Sequence, residues 1–143
     1  MTDSLNEVAR LGTFEAEKRR SENDYAIVMK RNAFKNNAQV QLEQIAGPMV
    51  RKLGVTSRQE EVLHGVILDA AATLKIGRTS SEMSRNGTHR GNLITFDPLL
   101  EGWKERIKRS GALNVDKAFK TAQDAAVFAL NESPNLGTPQ NQK

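Results

Sequence analysis

The sequence predicts an all-α protein: a small domain of four or five helices with a long polar N-terminal helix, a long central loop and a flexible C-terminal tail. Hydrophobic residues make up 38% of the 143 residues, and aromatic residues only 5%. The core must therefore rely on Leu, Ile, Val, Met and Ala, which suits closely packed helices better than sandwiched sheets. Apolar residues also recur at three- and four-residue intervals in two segments, which is the helical period.

Residues 13–46 are predicted to form the long polar helix, with Thr13 as its N-cap. Tyr25, Val28 and Met29 share one face, but the polar residues from Asn32 onward interrupt the apolar stripe. A helix with so little apolar surface is marginal by itself. We therefore expect it to contact a partner subunit, to kink near Asn36, or to fray. Strict heptads are absent, so no coiled coil is predicted.

Gly47 and Pro48 predict a break, because proline cannot continue a helix from the preceding turn. A short turn over residues 49–53 should follow and end at Gly54. The next helix, residues 57–74, has the clearest pattern and should be the central core helix. It begins with the capping-box sequence Ser57-Arg58-Gln59-Glu60. Its apolar residues recur at helical spacing and are Val62, Leu63, Val66, Ile67, Ala70 and Leu74.

Residues 77–97 lose this periodicity and are predicted to form a loop, within which residues 93–96 form a short strand or an extended plug. Asp97 and Pro98 are typical of a helix start, and Gly111 of a helix end. One side of this helix carries its apolar residues, namely Leu99, Leu100, Trp103 and Ile107.

Asn114 is predicted to cap the last helix, residues 115–130. Its inward-facing residues are Val115, Phe119, Ala122, Ala126 and Leu130. After Asn131 the composition becomes rich in Ser, Pro, Asn and Gly, which is typical of a flexible tail. These elements divide the chain into an N-terminal helix that lies between subunits (1–46), a helical core domain (47–131) and a flexible tail (132–143).

Composition narrows the classes of function. Twenty-one Lys and Arg against seventeen Asp and Glu give a net charge of +4, and a cationic surface attracts polyanions such as nucleic acid. The chain has no cysteine, which excludes disulfides, thiolate nucleophiles and Cys-ligated metals. No apolar run reaches the ~18 residues of a membrane span, and the first residues do not resemble a secretory signal. We expect a protein of the cytoplasm, or one packaged in a virion.

The sequence does not favour catalysis. His64 lies one helical turn after Glu60, which is ordinary pairing on a helix surface, and neither His64 nor His89 has a second His at metal-ligand spacing. The segment 87–91 contains two glycines but lacks the Gly-Lys-Ser/Thr ending of a phosphate loop. We therefore expect a protein that is not an enzyme and that uses no cofactor or metal.

The end of the central helix resembles the helix-turn-helix motif, in which a small residue is followed by Leu, a turn, an aliphatic residue and a polar helix start. The corresponding residues are Ala71, Leu74, Ile76 and Thr79. Residues 55–63 also resemble the opening of LuxR-type regulator domains. The resemblance implies a recognition helix with its N-terminus at the DNA. The sequence departs from the motif at Ser81 and Ser84, where apolar residues should anchor that recognition helix. The alternative is a core helix that ends in a solvated basic loop.

A second basic segment surrounds Trp103. Its cations either join the central loop in a phosphate-binding surface or simply solvate their helix and favour its C-terminal dipole. The predicted nucleic-acid-binding residues of both segments are Lys75, Arg78, Thr79, Arg85, Arg90, Lys104, Lys108 and Arg109.

These features lead to a first hypothesis of a non-enzymatic nucleic-acid-associated accessory protein, with DNA as the expected nucleic acid. The alternative is a helical structural or assembly subunit, for example of a phage particle or a secretion machine, whose thin core is completed by neighbouring chains. Either protein is expected to form a homo-oligomer or part of a larger assembly. A small regulator that docks on one protein target also stays open.

Overall fold

The computed structural model describes the backbone of residues 2–79 and 98–139, and the side chains of the first helix at residues 18, 19 and from 21 onward. The described residues form four helices and no strand, which confirms the predicted all-α class. The helices are α1 (Thr2–Arg51), α2 (Ser57–Ile76), α3 (Pro98–Arg109) and α4 (Val115–Glu132).

The helices α2 and α4 lie at the centre of the fold. Both pack against α1 on one side and against α3 on the other, whereas the described backbones of α1 and α3 do not come close to each other. Arg31 of α1 donates to Thr73 near the end of α2 (3.2 Å), and Gln59 at the start of α2 donates to the Ser110 carbonyl after α3 (3.2 Å). Both α1 and α3 therefore run antiparallel to α2.

Small side chains fill the interface between these central helices. Alanine accounts for three of the seven buried residues of α2 and for five of the six of α4. Side chains this small allow helix axes to approach closely. The larger fully buried residues, such as Leu42, Ile67 and Ile107, lie around them. The expectation of a core rich in alanine is thus confirmed.

Asp69 joins three helices across this core. Its carboxylate, of which 20% is exposed, pairs with Lys35 of α1 through one oxygen and with Arg106 of α3 through the other. Gly65, one turn before Asp69, leaves room for the guanidinium of Arg106, because a Cβ at that position would lie 2.7 Å from Nη2. Asp69 therefore connects the two outer helices, whose backbones do not come close to each other.

The first helix differs from its predicted bounds at both ends. It begins at Thr2, so Thr13 lies inside it and is not an N-cap. It also continues through Gly47 and Pro48 to Arg51, where a break was predicted. Proline removes only one backbone donor so close to the helix end, and the burial of Ala46 and Val50 on either side holds the last turns against the core.

The predicted N-caps of α2 and α4 are correct within one residue. The N-cap of α2 is Thr56 and not Ser57: its hydroxyl accepts from the Gln59 backbone (3.2 Å), while its own backbone N–H donates to the Gln59 side chain (3.0 Å). Thr-x-x-Gln and Ser-x-x-Glu overlap here, and both fit the capping-box pattern. Asn114 caps α4 as predicted. Leu74 is 60% exposed and does not belong to the core stripe.

The segment after α4 was predicted to be a flexible tail, but residues 133–139 pack against the core. Leu136 is fully buried, Asn37 donates to the Gly137 carbonyl (3.2 Å), and Gln41 donates to the Ser133 hydroxyl (2.8 Å). One apolar anchor and several side-chain hydrogen bonds thus hold a segment whose composition alone suggests disorder. Phe34, Ala38 and Leu42 of α1 are also core residues, so no boundary separates α1 from the core domain.

Other predictions lie outside the described residues. These are most of the central loop, the short strand at 93–96, and the last residues of the tail, 140–143. The location of α1 between subunits stays a prediction.

Gly137 provides a test of the C-terminal packing. Its φ is +82°, and a Cβ at this position would overlap the ring of Phe34. We expect Gly137→Ala to lower the free energy of unfolding by about 2–4 kcal/mol, because the left-handed backbone and the overlap are both unfavourable. Urea denaturation followed by circular dichroism measures this change.

Gly102→Ala is the matched control. Gly102 lies in α3, and a Cβ there would meet nothing within 4 Å. Because alanine favours helix over glycine, this variant should be more stable by up to about 1 kcal/mol. Equal stability of Gly137→Ala and the wild type would contradict the packing of Gly137 on Phe34.

Candidate nucleic-acid interface

The structure separates the predicted nucleic-acid-binding residues into two groups. Lys75, Arg78 and Thr79 lie at the C-terminal end of α2, whereas Lys108 and Arg109 lie at the end of α3, next to the start of α2. Gln59 and Lys75 are about 24 Å apart along α2, at about 1.5 Å per residue. The predicted residues therefore do not form one continuous surface. Arg85 and Arg90 lie outside the described residues.

Lys75 has a structural role. Its ammonium group donates to the Pro134 carbonyl (2.8 Å) and to the Leu136 carbonyl (3.3 Å). Both acceptors belong to the segment that packs after α4, so Lys75 fixes that segment to the end of α2. Thr79 is buried and Arg78 is half-buried, and both make contacts within the chain. This end of α2 is less open to a polyanion than the sequence suggests.

Lys104 contributes to packing between α3 and α4. Its ammonium group lies 5.1 Å from the centre of the Phe119 ring, which is within the range of a cation–π contact. The side chain is half-buried. Lys104 is thus held against the fold, although its charge still adds to the local potential.

The resemblance to the helix-turn-helix motif is tested in its first half only. Leu74, which would pack in the motif, is 60% exposed. Ser81 and Ser84, where the sequence departs from the motif, lie outside the described residues together with the recognition helix that the motif implies. The described part of the chain therefore gives this resemblance no support.

Exposed cations instead gather at one end of the fold, which we call the basic pole. Here α1 and α3 end, and α2 and α4 begin. The pole consists of residues 51–61 and 104–120, which contain nine Lys and Arg against four Asp and Glu. The net charge of these two stretches exceeds the +4 of the whole chain. Eight of the nine cations are exposed, and two of these, Arg106 and Lys120, pair with Asp69 and Asp124. The other six are Arg51, Lys52, Arg58, Lys108, Arg109 and Lys117.

Most of these six cations have no carboxylate partner among the described residues. Arg109 pairs with Glu105 one turn earlier, at 3.3 Å, and this pair is largely exposed. The other five form no ion pair within the part of the chain that the structure describes. Unpaired cations keep their full attraction for an external anion, so the pole is an anion-attracting surface.

A groove of about 410 Å³ opens in the middle of the basic pole, between the α1–α2 and α3–α4 connections. Leu53, Val55 and Ala112 line it together with Leu113, whose side chain is completely exposed. The rest of the lining includes the two capping residues, Thr56 and Asn114, and Lys117. The pole thus combines a partly apolar groove with exposed cations.

His64 of α2 is an ionisable side chain that is half-buried. Its Nε2 lies 3.9 Å from the Glu60 carboxylate, and its Nδ1 is buried with no hydrogen-bond partner among the described atoms. It lines a second, smaller groove between α1 and α2. Among the side chains that the structure describes, no group of three or more His, Asp or Glu has the arrangement of a metal site.

The sequence matches no protein-family model, and neither a curated protein nor a solved structure is significantly similar to it. None of the helices that the structure describes combines the length and the apolar content needed to cross a membrane.

The structural role of Lys75 can be measured separately from binding. Because Lys75→Ala removes two charge-assisted hydrogen bonds at a largely exposed position, we expect it to lower the free energy of unfolding by about 1 kcal/mol. Thermal or urea denaturation is the measurement. Lys52→Ala, which removes an exposed cation without such acceptors, should change stability by less than about 0.5 kcal/mol. Identical stabilities of the two variants would rule out the structural role.

Proposed function

We propose that this chain is a non-enzymatic nucleic-acid-binding accessory protein that contacts phosphates through the basic pole. The observation that carries the proposal is the gathering, from all four helices, of exposed cations that lack carboxylate partners among the described residues. Neutralisation of phosphates by Lys and Arg releases condensed counterions, which is the main source of affinity in binding without sequence preference.

The positive electrostatic potential of the basic pole comes from its side chains and not from helix dipoles. The N-termini of α2 and α4 bring positive helix dipoles to this end, but the C-termini of α1 and α3 bring equal negative ones. Moreover, Thr56 and Asn114 already accept from the first free backbone N–H groups of α2 and α4. The net attraction therefore comes from Lys and Arg, and it should weaken with salt.

Duplex DNA fits the pole better than a single strand does. Proteins that bind single strands without sequence preference stack the bases on aromatic side chains. Phe119 is the aromatic residue of the two stretches that form the pole. Its side chain is 7% exposed, and the ammonium group of Lys104 lies over its ring. Without an open stacking platform, backbone phosphates are the accessible target, and contacts to phosphate position a protein without reading sequence.

The proposal is tested by a matched pair of double variants. Arg58→Ala with Lys108→Ala removes two exposed cations of the pole, and Arg19→Ala with Lys30→Ala removes two exposed cations of α1 far from it. For the pole variant, we expect weaker binding and a plot of log K against log salt that is shallower by about 2, because each lost phosphate contact lowers the slope by about 0.9. The α1 variant should keep the wild-type slope.

Fluorescence anisotropy with duplexes of two unrelated sequences, at several salt concentrations, gives these slopes. Equal affinity for the two sequences is expected. No binding by the wild type at low salt, or equal losses in the two double variants, would contradict the proposal. Stronger binding to a single strand than to a duplex would contradict the choice of duplex DNA.

A second candidate function is that of a helical structural or assembly subunit, for example in a phage particle or a secretion machine. One observation favours it: Tyr25, Val28 and Met29 are 67%, 41% and 50% exposed on α1, where such a subunit would meet neighbouring chains. Either function is expected in the cytoplasm or in a virion. Light scattering separates the two, because an assembly subunit should form large particles and a free accessory protein should not.

A further inference from the structure

Leu113 is the most exposed of the large apolar side chains that the structure describes, since its whole surface is open to solvent. It lies in the connection between α3 and α4, within the basic pole, and forms part of the lining of the groove there. Contacts to phosphate account for the cations of the pole, but they make no use of an apolar side chain. Phosphate binding alone therefore does not explain Leu113.

The fold does not use Leu113 for packing. This residue directly precedes Asn114, the N-cap of α4, and an apolar residue in that position often packs on the fourth residue of the helix. Here the fourth residue is Ala118, which is 4% exposed, whereas Leu113 stays completely exposed. Burial of a leucine side chain is favourable, so this free energy is left for contact with a ligand.

The connection that carries Leu113 is held in place on both sides. Before it, the Ser110 carbonyl accepts from the Gln59 side chain (3.2 Å), and Ala112 packs against the core. After it, the Asn114 side chain accepts from the Lys117 backbone (3.0 Å). A side chain on a backbone that is already ordered can enter a ligand without the entropic cost of ordering a loop.

The surroundings of Leu113 combine small neighbours with cations. The three residues before it are Ser, Gly and Ala, which let the backbone approach a ligand closely. Lys108 lies five residues before Leu113 and Lys117 four residues after it. Both lysines are exposed and form no ion pair among the described residues, and the carboxylate nearest in the sequence is Asp116. An apolar tip between cations matches a base step with phosphates on either side.

We propose that Leu113 inserts between two neighbouring base pairs of the duplex that the basic pole binds, and that it thereby bends this duplex. This inference rests on the proposed function, because insertion requires the duplex to be bound. Apolar side chains such as leucine that enter the minor groove partly unstack one base step and kink the duplex toward the major groove. The protein then changes the shape of DNA in addition to binding its phosphates.

Insertion favours base steps that unstack easily. Pyrimidine–purine steps are more easily kinked than others, and a mismatched pair costs less to unstack than a matched one. Ordinary duplexes contain many pyrimidine–purine steps, so insertion agrees with equal affinity for two unrelated sequences. It predicts a difference between a matched duplex and the same duplex with one central mismatch.

Energy transfer between dyes at the two ends of a duplex of about 25 base pairs measures bending. The wild type should raise the transfer on binding, and Leu113→Ala should abolish this rise. Because Leu113→Ala removes no cation, the slope of log K against log salt should stay that of the wild type. Leu113→Phe should still bend the duplex, since phenylalanine is also an effective wedge.

Leu74→Ala is the matched control for these variants. It removes a leucine that is 60% exposed near the other end of α2, and it should bend the duplex as the wild type does. Leu113 buries no surface in the fold, so its variants should be as stable as the wild type. Circular dichroism checks this.

A fluorescent base reports insertion directly. The fluorescence of 2-aminopurine beside a central TA step rises when the base loses its stacking, so the wild type should raise it and Leu113→Ala should not. The wild type should also bind the mismatched duplex at least about tenfold more tightly than the matched one, because part of the unstacking cost is removed. Leu113→Ala should bind the two duplexes equally.

The outcomes separate this inference from the proposed function. A wild type that binds duplex with the expected salt dependence, but changes neither energy transfer nor 2-aminopurine fluorescence, would overturn insertion and leave phosphate binding intact. Bending that persists in Leu113→Ala would overturn the role of this residue. An equal loss of affinity for matched and mismatched duplexes in Leu113→Ala would show contact with the DNA surface and would also overturn insertion. Absence of any duplex binding at low salt would overturn both proposals.

Discussion

The alanines buried along α2 and α4 are the constraint on which the rest of the fold depends. They let the two central helices approach closely, and α1 and α3 then lie on either side of them. Because the α1–α2 and α3–α4 connections are short, both lie at the same end of the bundle. The basic pole is thus a product of topology. It gathers cations that are far apart in the sequence.

The strongly periodic helices were predictable, and the polar one was predictable only in part. Apolar spacing located α2 and α4, because their burial pattern follows the helical period. The full extent of α1 was not predictable, since its first half has almost no apolar stripe and since Pro48 is a general signal for a break. Packing of Ala46 and Val50 overrides that signal. The ordered segment around Leu136 escaped prediction because its stability comes from residues far away in the sequence.

That the chain has a basic surface was predictable, but the place of this surface in the fold was not. Lys108 and Arg109 were recognised as basic residues of a candidate surface, but Arg51, Arg58 and Lys117 were not, because they belong to three other helices. Helices joined by short connections alternate in direction, and this rule could have predicted that these cations lie at the same end of the bundle. Lys75 shows the opposite error. The sequence predicted that it binds nucleic acid, but its ammonium group donates to two carbonyl groups of its own chain.

The packing of Gly137 on Phe34 also bears on when the fold can be completed. Asn37 and Gly137 are 100 positions apart, so the contacts between α1 and the last ordered turn are among the most non-local in the chain. Such contacts form late, because a long loop must close before they contribute. During translation Phe34 therefore emerges from the ribosome long before Gly137, which packs on its ring, has been synthesised. Until then, the part of the Phe34 ring that Gly137 covers stays open on the ribosome-bound chain.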